Sequence, residues 1–168
     1  LRGLVGSEMC IRDRYQNFDI KKNDKGSIIL IGNFDGVHLG HQKLFKQAQF
    51  YKKKYNLKIG VVNFNPMPKM FFNQSLKNFR LSSISQKINL LNNQSVDFII
   101  TKKFDKVFSK TKSINFIKNI LSQKLDAKFI FVSNNFRFGN KREGDVKLLS
   151  ENEKKYNYKV VKLSLIHI

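Results

Sequence analysis

The sequence predicts an α/β fold, a mostly parallel β-sheet flanked by helices on both faces. Short β-branched apolar runs alternate with segments of helical periodicity from Ser27 to Val161, the pattern of successive strand–helix–strand units. The runs are strand length and mostly apolar, as buried parallel strands are. The first of them ends in a glycine-rich turn, Gly32-Asn33-Phe34-Asp35-Gly36-Val37-His38-Leu39-Gly40-His41, that leads into the first helical segment.

Ser27 to Asn33 reads as a buried strand ended by Gly32. From Leu39, the positions Leu39, Leu44, Phe45, Ala48 and Phe50 to Tyr51 recur at roughly helical spacing, with Gln and Lys between them, which predicts a helix to about Lys54. Lys58 to Phe64 is again a strand. It is stopped by Asn65-Pro66-Met67-Pro68, whose prolines are expected to exclude helix and central strand alike. Ser85 to Leu91 reads as a second helix capped by Ser82 or Ser83, and Val96 to Thr101 as a strand. Ser113 is expected to cap a third helix whose Ile114, Ile117, Ile120 and Leu121 share a face. Ala127 to Val132, a loop rich in Asn, Gly, Lys and Arg, a helix near Val146 to Lys155 and a strand at Lys159 to Val161 complete the alternation.

The two ends are related to each other. Met9-Cys10-Ile11-Arg12-Asp13-Arg14 and Leu163-Ser164-Leu165-Ile166-His167-Ile168 can be encoded by one DNA segment read on opposite strands, as a sequencing adapter on both sides of an insert would leave. Residues 1–14 and 163–168 are therefore expected to be adapter-encoded and to add no packed core. Residues 15–162 are expected to form one domain, cut at both sides.

Cys10 is the sole cysteine and falls in the first of these segments, so a disulfide framework, a cysteine metal site and a thiol nucleophile are excluded for residues 15–162. A reducing cytoplasm is the expected location. No apolar run approaches the roughly 18 residues of a membrane span. The net charge of +20 would attract phosphates of any kind. Lysine supplies it, with Arg80, Arg137 and Arg142 the only arginines of residues 15–162, whereas sequence-reading DNA binders lean on arginine. Nucleic acid is not the expected partner.

A strand-to-helix junction in an open α/β sheet is where ligands bind, because unpaired helix N–H groups and the helix dipole favour an anion there. Gly32, Gly36 and Gly40 let the backbone approach a ligand closely. His38 and His41, three apart at a helix start, can donate to one phosphate or serve as a capping or surface pair. A zinc site needs a third ligand, and His167 lies in the terminal segment, so no protein-held metal is expected.

The string IGNFDGVHLGHQKL resembles the nucleotide-binding segment of bacterial bifunctional riboflavin kinase/FMN adenylyltransferase, or FAD synthetase. Its His38-Leu39-Gly40-His41 is the HxGH core of a wider nucleotidyltransferase superfamily. The resemblance continues in order through Val61 to Phe72, Leu81 to Lys87, Val96-Asp97 and Phe131 to Asp145. It implies a Rossmann-like nucleotidyltransferase fold and adenylyl transfer from ATP to FMN, with Mg2+ as the accompanying ion and a riboflavin kinase domain in cis in the intact parent. It implies that His38 and His41 hold the ATP phosphates and stabilise the transition state, and that Gly32, Asn33, Phe34, Asp35, Gly36 and Gly40 complete the nucleotide loop. By matching position, Pro66, Pro68, Phe72, Asn135 and Phe138 fall on the flavin side.

The chain also departs from the family. The usual Pro-His-Pro is Pro66-Met67-Pro68, the glycine common after the strand is Ser133, and the downstream phosphate motif and kinase barrel would lie beyond Lys162. The fragment is accordingly not expected to turn over by itself. Competing readings are another HxGH nucleotidyltransferase, acting on phosphopantetheine, nicotinate mononucleotide or a cytidylyl acceptor, and a basic nucleic-acid-binding module.

Overall fold

The computed structural model describes residue 11 and residues 13–35, 39–76 and 83–163. In chain order these form strand β1 (Asp13–Tyr15), strand β2 (Ile28–Ile31), helix α1 (Leu39–Tyr55), strand β3 (Ile59–Asn65), the short helix α2 (Pro68–Phe72), helix α3 (Ile84–Asn92) and strand β4 (Phe98–Lys103). The one-turn helix α4 (Lys106–Ser109) follows. Helix α5 opens at Ser113–Asn115 and continues with π-type hydrogen bonding over Phe116–Lys124. Strand β5 (Phe129–Ser133), the small strands β6 (Arg137–Phe138) and β7 (Gly144–Asp145), helices α6 (Val146–Glu151) and α7 (Glu153–Tyr156), and strand β8 (Lys159–Leu163) complete the fold.

The main sheet is parallel throughout, in the order β1-β4-β3-β2-β5-β8, and β6 and β7 form a separate antiparallel pair. All four residues of β2 are buried because successive side chains enter opposite cores. Ile29 and Ile31 pack with Ile117, Leu121 and Leu149 from α5 and α6. Ile28 and Leu30 pack with Leu44, Phe45, Ala48 and Leu91 from α1 and α3. Each such side chain contributes about 1.5–3 kcal/mol by leaving water.

Three expectations are corrected. Pro68 opens α2 instead of excluding a helix, because a proline in the first turn gives up an N–H that has no intrahelical acceptor. Ser113 does not cap α5 with its side chain. It is buried, and the Glu143 carboxylate accepts from its N–H at 2.9 Å and its hydroxyl at 3.3 Å, so an acid thirty positions on satisfies the helix start. Residues before Tyr15 also take part in packing: Ile11 is 8% exposed within the core beneath α1 and α3, and Asp13 and Arg14 pair with Phe98 and Ile99. Main-chain pairing along an open sheet edge makes no demand on side-chain identity. At the second expected boundary, Leu163 pairs with Ser133 as the last residue of β8.

Helix α3 begins as expected, with Ser83 and Gln86 forming a reciprocal capping box. Asp24, 2% exposed, accepts from the Tyr15 hydroxyl at 2.6 Å and from Lys58 Nζ at 2.9 Å, tying the edge strand to the segment before β3. Burial, then the bond to Asp24, pushes the Tyr15 hydroxyl up to about 12. A raised folded-state pKa means that this contribution is full below an unfolded value of about 10 and is lost as pH climbs through 12. Tyr15→Phe should therefore make urea stability fall less between pH 10 and 12 than in the parent chain.

Gly60 supports the sheet by its missing side chain, since a Cβ there would lie 2.2 Å from the buried Phe98 ring. Gly60→Ala should cost about 1–3 kcal/mol by denaturant midpoint, and adding Phe98→Leu should return part of it.

Candidate active site

The strand order reverses beside β2. From β2 the chain crosses to β3 and then β4 on one side, while β5 and β8 lie on the other, and in an open parallel sheet ligands bind in a crevice at the carboxyl ends where the directions part. Gly32 to Asp35 follow β2, and Asn134 and Asn135 follow β5, whose Phe131 is in register with Leu30. The two expected half-sites thus arise from neighbouring strands. Gly36 and His38 lie outside the described residues.

Helix α1, 17 residues long, begins at this end with no acidic side chain in its first turn, so no charge within that turn opposes an anion at its N–H groups. The loop before it turns on Phe34, a non-glycine residue in the left-handed region at φ 51, with a ring 2% exposed. That ring lies over Gly32, where a Cβ would stand 3.2 Å from Phe34 Cζ. It meets Phe45 at 5.3 Å and the edge of His41 at 5.1 Å and 68°. Phe34 is expected to join the nucleotide loop; its side chain is a core wedge against His41. A left-handed non-glycine residue costs about 1–3 kcal/mol, which burying a phenylalanine offsets. His41 itself is half-buried with Nδ1 turned away from solvent, Asn33 and Asp35 are half-buried in the loop, and Gly40 is buried in the first turn of α1.

On the other side, Pro66 and Pro68 are half-buried and Phe72 is 66% exposed. Met67, 3% exposed, is an apolar anchor for the turn between β3 and α2. Phe72 shares its patch with Phe71 at 5.1 Å and Phe104 at 5.8 Å. Sequence reasoning missed Phe104, because only the pairing of Asn65 with Lys103 brings it there. The doublet Phe71-Phe72 was the available signal.

Phe138 lies mostly within the core. It was expected to wall the flavin side, but it is 8% exposed, stacked on Phe136 at 5.4 Å and 15° and packed on Phe116 at 5.5 Å. A Cβ on Gly144 would lie 2.7 Å from it. Asn135 is exposed after β5, and its Oδ1 accepts from Ser133 Oγ at 2.8 Å, so Ser133 holds the asparagine's turn. Arg137 donates to the Arg142 carbonyl at 3.0 and 3.2 Å, which closes the loop over Gly139, Lys141 and Arg142, all at positive φ. Among the described residues no group of three or more His, Cys, Asp or Glu could hold a metal ion.

The family model described as FAD synthetase matches residues 20–168. The bifunctional riboflavin kinase/FMN adenylyltransferase of Buchnera aphidicola subsp. Schizaphis graminum is 42% identical over 146 residues, 87% of this chain and 47% of that protein. The Escherichia coli K12 protein of the same name is 36% identical over 136 residues, 81% of this chain and 44% of that one. The chain therefore spans less than half the length of these relatives. Among solved structures, the macrolide-efflux protein from Streptococcus pneumoniae has a TM-score of 0.76 at 24% identity, over 92% of this chain and 51% of that one. Pantoate-beta-alanine ligase from Francisella tularensis has a TM-score of 0.54 at 16% identity, over 93% and 67%. At these identities the likeness is one of fold, and it matches the Rossmann-like sheet expected from the sequence.

The left-handed turn at Phe34 sets up an inverted ranking of variants. Phe34→Ala should destabilise by about 3–5 kcal/mol. Phe34→Gly should be milder than Phe34→Ala by about 0.5–1 kcal/mol, although glycine usually costs more, because φ 51 suits it. Guanidinium unfolding of both variants decides the order.

Proposed function

We propose, from the premise that this chain belongs to the FAD synthetase family, that its intact parent transfers the adenylyl group of ATP to FMN, giving FAD and pyrophosphate. What supports the reading is that helix α1, with His41 in its first turn, and the loop holding Asn135 follow neighbouring parallel strands at the same end. Adenylyl transfer needs nucleophile and phosphorus within about 3–3.5 Å, so both substrates must enter one cleft.

A phosphate oxygen of FMN attacks the α-phosphorus of ATP, the new P–O bond forms, and the bond to the β-phosphate oxygen breaks as pyrophosphate leaves. No covalent enzyme intermediate is required. The chain supplies position and charge. N–H groups at the start of α1, with His38 and His41, donate to the phosphates as negative charge shifts onto the leaving group. Gly32, Asn33, Asp35, Gly36 and Gly40 shape the loop so that the backbone can approach. Pro66, Pro68 and the exposed ring of Phe72 offer rigid apolar walls for a flavin, and Asn135 an amide for its polar edge.

Mg2+ would come with the nucleotide, since such ions are held largely by substrate phosphates and water. We assign a riboflavin kinase domain in cis to the intact parent, as the relatives' names describe for those proteins. The cytoplasm is the proposed compartment; no described helix is long and apolar enough to cross a membrane.

In the intact parent, His41→Ala should lower the rate of FAD formation at saturating substrates by about two to three orders of magnitude, the usual cost of one lost transition-state donor. FMN affinity, read by flavin fluorescence, should change little. An unchanged rate would remove His41 from the chemistry, and failure of the parent to make FAD while it still binds ATP would point to a different acceptor.

A further inference from the structure

Asn63 is a polar side chain where the strand is otherwise apolar. It is 3% exposed, and its Oδ1 is buried without a hydrogen-bond partner among the described residues. Alternation along β3 fixes its direction. Ile59 and Val61 join the core beneath α1 and α3, whereas Val62 belongs to the opposite core and Phe64 packs against it, so Asn63 faces the α1 side. Register fixes its neighbours. Thr101 stands opposite it on β4, and on the other side the Gly32 N–H donates to the Val62 carbonyl at 3.1 Å. Gly32 carries the Phe34 ring on this same face, with His41 against that ring. Asn63 therefore lies in the crevice floor, at the carboxyl end of the strand that runs into Pro66.

An unmatched buried amide oxygen is a standing cost that a valine or leucine in the same place would not incur. We propose that Asn63 is an acceptor-binding residue, whose amide engages a hydroxyl of the polyol chain joining the phosphate of the acceptor to its ring. The assignment rests on FMN being the acceptor. The acceptor's phosphate must reach the ATP phosphates at the start of α1, and its ring lies toward Pro66 to Phe72. Asn63 stands between them, about 10 Å back along β3 from Pro66 at roughly 3.3 Å per residue. A run of hydroxyls is what spans that interval in a flavin mononucleotide. An amide can accept from one hydroxyl and donate to the next, and a turn about χ2 exchanges its ends.

The test uses the intact parent, with Asn63→Leu and Asn63→Thr. Asn63→Leu should leave the melting temperature equal or higher, because it removes the unmatched oxygen, and should raise KM for FMN about tenfold, with KM for ATP within about twofold. A flavin phosphate whose linking chain lacks hydroxyls should lose the same factor with the parent and little more with Asn63→Leu. Asn63→Thr, which keeps a hydroxyl, should fall between, and it carries the comparison if the leucine variant does not fold. Unchanged KM for FMN in a folded variant, or effects of variant and analogue that simply multiply, would overturn the proposal. Fluorescence titration of FMN separates the two levels: a parent that makes no FAD yet binds FMN in an Asn63-dependent way sinks the proposed reaction and leaves the assignment of Asn63 standing.

Discussion

Strand β2 has no free edge and no free face. It is paired in parallel with β3 on one side and β5 on the other, and its four side chains fill two separate cores. A strand confined in this way can offer a ligand only its carboxyl end, where the ladder stops and the backbone must turn out of the sheet. Because β3 and β5 run parallel to it, their carboxyl ends lie on the same edge of the sheet, β3 running three residues past the end of β2, and three loops leave that edge: one from β2 into α1, one from β3 through Pro66 and Pro68, and one from β5 through Asn135. The cleft is a consequence of strand order before any side chain enters it.

The turn out of β2 then has to satisfy two demands at once. It must bring the start of α1 over the cleft, and it must not leave a hole in the core beneath that helix. The left-handed conformation of Phe34 meets both, for it reverses the chain and drives the ring back over Gly32 against Phe45 and His41. The imidazole thereby rests against a ring that is itself packed by the helix core, which restricts its rotation. Local strain and site geometry are in this way two aspects of one turn.

Much of this was legible in the sequence because it depends on local pattern. The apolar runs marked β2, β3, β4, β5 and β8 to within a few residues, and the glycine-rich junction marked the start of α1. Ser83 was recognisable as a cap because its partner Gln86 lies three residues on. What depends on contacts across the chain was not legible. Glu143 capping α5 at Ser113, Phe104 joining Phe71 and Phe72, and Asp13 and Arg14 adding an edge strand all follow from the arrangement of strands, which no window of ten or fifteen residues contains. Pro68 was misread for a different reason, since the same ring that breaks a helix interior is suited to its first turn.

The family motifs raise a further point, because a matched string mixes residues that can meet a substrate with residues that only shape the loop. Burial separates them. In the segment from Asn135 to Asp145, Phe138 is spent on the core, and Gly144 is kept free of a side chain by Phe138 and Ser113. Glu143 is spent on the start of α5, Asp145 on capping α6 through the Leu148 N–H, and Arg137 on the Arg142 carbonyl. Asn135 remains exposed at the cleft. The same division holds after β2, where Phe34 is structural and the polar residues around it line the turn. Motif length therefore overstates the number of residues that touch a ligand, and a larger part of each string secures the loop in the one position where the few remaining groups can act together.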